Sequence, residues 1–122
     1  MTTKQNLRPE INLPDTGLSS ASEKFQNTVL RPILKFQNDM YLTFFGSYLI
    51  KQKTQFDAMT KDAKNNFIEK SLQNDSALKN MMLGFTIGLF TTEELKVYLA
   101  DSKEMNRRVM TMLVKRLKNQ LL

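Results

Sequence analysis

Residues 32–50 read PILKFQNDMYLTFFGSYLI, and their apolar positions fall on two helical lines. Ile33, Phe36, Met40 and Phe44 form one line, while Leu34, Tyr41, Phe45, Tyr48 and Leu49 form an adjoining one. Two lines make a wide stripe, and a helix apolar around most of its circumference belongs in an interior. No charge falls between Asp39 and Lys51. The stretch is still short of the ~20 apolar residues that a bilayer span needs. The pattern predicts a long central helix over residues 32–53, enclosed by its neighbours.

The preceding chain is less regular. Residues 1–19 contain Pro9, Pro14 and Gly17 and show no period, which predicts an irregular arm. Its Leu7, Ile11, Leu13 and Leu18 could dock it onto a bundle. Ser20-Ala21-Ser22-Glu23 matches a capping box and should open a helix bearing Phe25, Val29 and Leu30. Pro32 then interrupts, because it lacks a backbone donor and its ring crowds the Thr28 carbonyl. Either a short helix ends near Arg31, or one long helix kinks at Pro32. Unbroken, residues 23–53 would span about 46 Å. A domain of this size has a radius of gyration of about 14 Å. A kink or break is expected unless a second subunit covers the excess.

Lys-Phe-Gln-Asn occurs at residues 24–27 and again at 35–38. Eleven residues are about three helical turns, so the two copies should share a face, with Phe25 and Phe36 turned inward. Lys35, Gln37 and Asn38 then form a polar ladder that a partner could recognise. Gly46, in mid-helix, is tolerable where another backbone packs close.

Farther on, the punctuation is sharper. Thr60 can cap a helix carrying Ala63, Phe67, Ile68 and Leu72, and Asn74 or Asp75 opens another with Leu78, Met81, Met82 and Phe85. Gly84 and Gly88 suggest close helix packing, with Gly88 able to end the helix. Thr91-Thr92-Glu93-Glu94 is a second capping box, ahead of Leu95, Tyr98 and Leu99. Asp101-Ser102-Lys103-Glu104 repeats the pattern with Asp as cap. It opens a last amphipathic helix to about Gln120, with Met105, Val109, Met112, Leu113 and Leu117 on one side. The fold expected is all-α, a compact bundle of five or six helices in one domain over residues 20–122.

Composition narrows the chemistry. The 122 residues include neither His nor Cys. That removes the commonest general base, the commonest metal ligands and any thiolate. Carboxylates alone remain as ligands, and none cluster at metal-loop spacing. No phosphate loop or glycine-rich elbow occurs. No catalytic residue, cofactor or metal is expected, and an enzyme would have to be of unusual design. The first ten residues lack the apolar run of a signal peptide, so a cytoplasmic protein is expected.

Net charge is +6, which by itself favours solubility and can also favour anionic partners. Arg107, Arg108, Lys115, Arg116 and Lys118 line the basic side of the last helix, where they could contact phosphates. No aromatic residue interleaves with them, so a single-strand stacking platform is not expected. The eight Met are expected mainly in the core.

Read together, the segments EKFQNTVLRPILKFQND (23–39), LGFTIGLFTTEEL (83–95) and DSKEMNRRVMTMLVKRL (101–117) resemble a group of short, all-helical bacterial proteins of uncharacterised function. Some members of that group carry an automatic label of glyoxalase. Metal-dependent glyoxalases of the βαβββ type use His ligands and a run of strands, neither of which this chain offers. The resemblance implies a small helical protein and brings no active-site motif. The role expected is a non-catalytic protein–protein interaction module, with a second copy of the chain as one candidate partner. Nucleic-acid binding through the basic last helix is the alternative.

Overall fold

The computed structural model describes residues 20–122, and the arm expected over residues 1–19 lies outside them. Among the described residues there are helices and no strand. A rod opens the described residues: α1 (Ala21–Phe25), one turn of π-helix (Gln26–Leu30) and α2 (Arg31–Phe36) succeed one another without a gap. Then come α3 (Asn38–Lys51), a short 3-10 turn (Phe56–Ala58), α4 (Lys61–Asn74), α5 (Ser76–Ile87), α6 (Thr92–Ala100) and α7 (Ser102–Leu121). With the rod counted as one, six helices among the described residues pack as an all-α bundle, as the periodicity predicts.

The π-turn is how the chain absorbs Pro32. In a regular helix the ring would press on the Thr28 carbonyl. Here the Arg31 N–H reaches back five residues to the Gln26 carbonyl, and the wider turn relieves that crowding. The rod therefore passes through Pro32 instead of ending there. The turn also consumes an extra residue, rotating α2 by roughly a quarter turn relative to α1. The two Lys-Phe-Gln-Asn copies consequently do not share an inward face: Phe25 is 7% exposed and Phe36 is 45% exposed.

The break falls at Gln37 instead, with φ −90° and ψ 10°. Its carbonyl accepts from the N–H groups of both Met40 and Tyr41, at 2.9 and 3.2 Å. Its side-chain Nε2 donates to the Phe85 carbonyl at 2.9 Å. That carbonyl sits near the C-terminal end of α5, where the helix's own donors run out. The long central helix expected over residues 32–53 is thus two helices, α2 and α3.

Nor is α3 the enclosed pillar. It buries Tyr41 and Phe45 only, while Met40 and Ile50 are exposed. The buried centre is α7, which packs against α4, α5 and α6 and buries Met105, Val109, Met110, Leu113 and Leu117. Beside it, α5 buries Leu78, Met82, Leu83 and Thr86 and touches α3, α4 and α7. Aromatic rings join the remainder. Phe45, Tyr48, Phe56 and Phe67 cluster where α3 meets the 3-10 turn and α4, and Phe25, Phe90 and Tyr98 tie α1 to α6.

Most caps form where their residues announce them. The Ser20, Thr60 and Thr91 hydroxyls accept from the N–H groups of Glu23, Ala63 and Glu94, and Asp75 accepts from Leu78. At Thr91 the box is complete, because the Glu94 carboxylate accepts from the Thr91 N–H at 2.9 Å. Asp101 departs from expectation and makes no side-chain cap; Glu104 turns instead to two arginines. The close packing expected at Gly46 and Gly84 is not found either. A Cβ at Gly46 or Gly84 would meet nothing within 4 Å, so no neighbouring backbone packs against either. Gly88 does cap α5.

Candidate functional site

The rod and the start of α3 run beside α7 in the same direction. Gln26 meets Arg108 near one end, and Asn38 meets Arg116 and Gln120 near the other. Between them lies a groove of about 580 Å³ lined by Gln26, Arg31, Leu34, Thr111, Met112, Lys115, Arg116, Asn119 and Gln120. Leu34 is buried and Met112 half-buried, giving an apolar floor. The lining contains three cations and no carboxylate.

Local bonds hold the groove's walls. Arg31 Nε donates to Asn27 Oδ1 at 2.9 Å, a four-residue contact made at the end of the π-turn. Asn38 and Gln120 exchange amide bonds, Asn38 Nδ2 to Gln120 Oε1 at 2.8 Å and Gln120 Nε2 to Asn38 Oδ1 at 2.9 Å. Arg116 Nη1 donates to the same Asn38 oxygen at 3.4 Å. These contacts set the orientation of both arginines at the mouth.

The residues anticipated from sequence are thus sorted into two sets. Asn38, Lys115 and Arg116 come together at the groove, and Lys35 stands exposed on α2 outside its lining. Gln37 is committed to Phe85. Arg107 makes two bonds to the Glu104 carboxylate, at 2.9 and 2.7 Å. Arg108 bonds Glu104 at 2.9 Å and Gln26 at 2.8 Å. The Arg107 hydrogen bond chiefly holds the Glu104 carboxyl down to about 2, and Glu104 in turn raises Arg107 above its ordinary value. Lys118 pairs with Glu69. Six of the anticipated residues therefore already have partners within the chain, two of them, Asn38 and Arg116, at the groove. Sequence reasoning missed Gln26, Arg31, Asn119 and Gln120. The one local signal was the Asn27–Arg31 spacing, which suits a bond along a helix.

The other flank of α7 carries a larger trench, about 780 Å³, floored by Leu72, Met110 and Val114. Its carboxylates, Glu69, Asp101 and Glu104, match its cations, Lys79, Lys103 and Arg107. That balance selects no charge of ligand. Among the described residues no set of three or more carboxylates could hold a metal ion. No buried side-chain nitrogen or oxygen there lacks a hydrogen-bond partner. No helix among them is long and apolar enough to cross a membrane.

No protein-family model, curated protein or solved structure matches the chain.

Proposed function

We propose that this chain is a non-catalytic protein–protein interaction module, which takes an acidic, partly apolar segment of another protein into the groove between α2 and α7. One observation supports this above the others: Arg31, Lys115 and Arg116 rim an apolar floor with no carboxylate among the lining residues. An acidic amphipathic helix offers the complement, carboxylates to the rim and apolar side chains to the half-buried Met112 above Leu34. Arginine suits such a rim because its planar fork meets carboxylates in a bidentate fashion.

A fluorescent peptide with Glu and Leu at helical spacing is the direct probe. It should bind, a Lys/Leu peptide of the same length should not, and Arg116→Glu with Lys115→Glu should weaken binding by about tenfold or more. Lys79→Glu, on the opposite flank of α7, should leave it unchanged. If the acidic peptide fails to bind at low salt, the proposal fails.

The same cations favour a second occupant, nucleic acid, held by its phosphates. No aromatic residue lines the groove, so such binding would be insensitive to sequence and would fall steeply with salt. Random DNA and RNA, titrated with salt beside the acidic peptide, separate the two.

A further inference from the structure

The outer side of α3 presents a different surface. Turned away from buried Tyr41 and Phe45 are Met40, Thr43, Gly46, Ser47 and Ile50. Met40 is 47% exposed and Ile50 78%, and around Gly46 there is open space. Large apolar residues thus stand at both ends of the face, with small residues between them. Such a profile lets a second helix approach closely at the middle while the ends bury apolar area.

Charge decides which helix. Asp39 and Lys51 are the only charged residues of α3, one at each end, and each lies six residues from Phe45. A copy of α3 laid antiparallel about that midpoint sets each acidic end beside a basic one. The helix dipoles then also run in opposition, whereas a parallel copy would juxtapose like ends. A two-fold pairing needs a patch complementary to itself, and this pattern is one.

We infer that α3 is a self-association face, on which two copies of the chain pair antiparallel across Thr43, Gly46 and Ser47. Met40 of each copy lies toward the Ile50 end of the other. Beside that end is a hollow of about 370 Å³, lined by Gly46, Leu49, Ile50, Thr54 and Phe56 among others, which accommodates the incoming methionine. The surface is separate from the α2–α7 groove, so it stands whether or not an acidic segment binds there.

Sedimentation equilibrium of the full chain tests it. At micromolar concentration the mass should be twice the 14.2 kDa of the chain. Gly46→Leu places a side chain into space that is open in the single chain and closed in the pair. It should give a monomer with unchanged helical circular dichroism. Ile50→Glu should do the same by another route. The register is read by charge reversal. Asp39→Lys alone and Lys51→Glu alone should each weaken pairing several-fold, and the double variant should restore it. A parallel pair, which sets like charges together in every case, would show no such rescue. A 14.2 kDa species throughout the micromolar range overturns the inference, as does a dimer indifferent to both Gly46→Leu and Ile50→Glu. A double charge variant that pairs no better than the single ones overturns the antiparallel arrangement.

Discussion

Tyr41 is fully buried, and its hydroxyl lies 2.8 Å from the Thr86 hydroxyl. Thr86 spends its own hydrogen on the Met82 carbonyl at 3.1 Å, so Tyr41 is the donor between them. Burial pushes the Tyr41 phenol up from 10.0 to about 12, against smaller opposing effects of the Thr86 bond and the Arg116 charge. Below pH 10 both folded and unfolded chains hold this proton, and its contribution to stability is whole. Between about pH 10 and 12 only the unfolded chain releases it, so stability falls. The full loss is about 2–3 kcal/mol. Tyr41→Phe should cost about 1 kcal/mol at neutral pH, since Thr86 keeps its own acceptor. Urea midpoints at pH 7 and pH 11 should show the variant's deficit shrinking or reversing. At the end of α3, Lys53 has φ 53°, within a Schellman turn in which the Lys53 and Thr54 N–H groups reach the Ile50 and Leu49 carbonyls at 3.0 Å. Glycine is the residue this position suits. Lys53→Gly should stabilise by about 1 kcal/mol, read as a higher melting temperature.

Caps and breaks divide the elements by how local their causes are. Thr91 and Glu94 satisfy each other within one turn, so the start of α6 is legible in four residues. The start of α7 looks equivalent and is not, because Arg107 and Arg108 draw Glu104 away. Thr91→Ala should therefore cost about 1 kcal/mol and Asp101→Ala much less, a contrast that paired thermal melts resolve. Gln37 was illegible for a different reason: its hydrogen-bond partner is Phe85, 48 residues away, and no Gly or Pro marks the bend. The groove obeys the same logic. Lys115, Arg116 and Asn38 were visible because each sits in a readable polar stretch. Gln26 and Arg31 become neighbours of α7 only once the rod and α7 lie parallel, which is a tertiary fact. The glycines misled because spacing alone cannot tell a closely packed backbone from an open face.

At the scale of the molecule, the apolar stripe that looked central in sequence is the one left partly in water. Apolar content marks a helix as buried only if neighbours cover all its sides, and α3 is covered on one. The narrower stripe of α7 is better used: α5, α4 and α6 lie along it, and Val109, Leu113 and Leu117 are 1%, 0% and 1% exposed. A side chain enclosed on every side loses both its transfer energy and its packing when truncated. Leu113→Ala should cost about 2–5 kcal/mol, a large share of the ~5–15 kcal/mol that holds a domain together. Ile50→Ala, on the open side of α3, should cost under about 0.5 kcal/mol of chain stability. Amide exchange gives the same contrast without mutation. The slowest protons should belong to α7 and the middle of α5, opening only with the whole domain, while the outer side of α3 exchanges sooner. Slowest exchange in α3, with α7 opening early, would return the centre of the bundle to the first half of the chain.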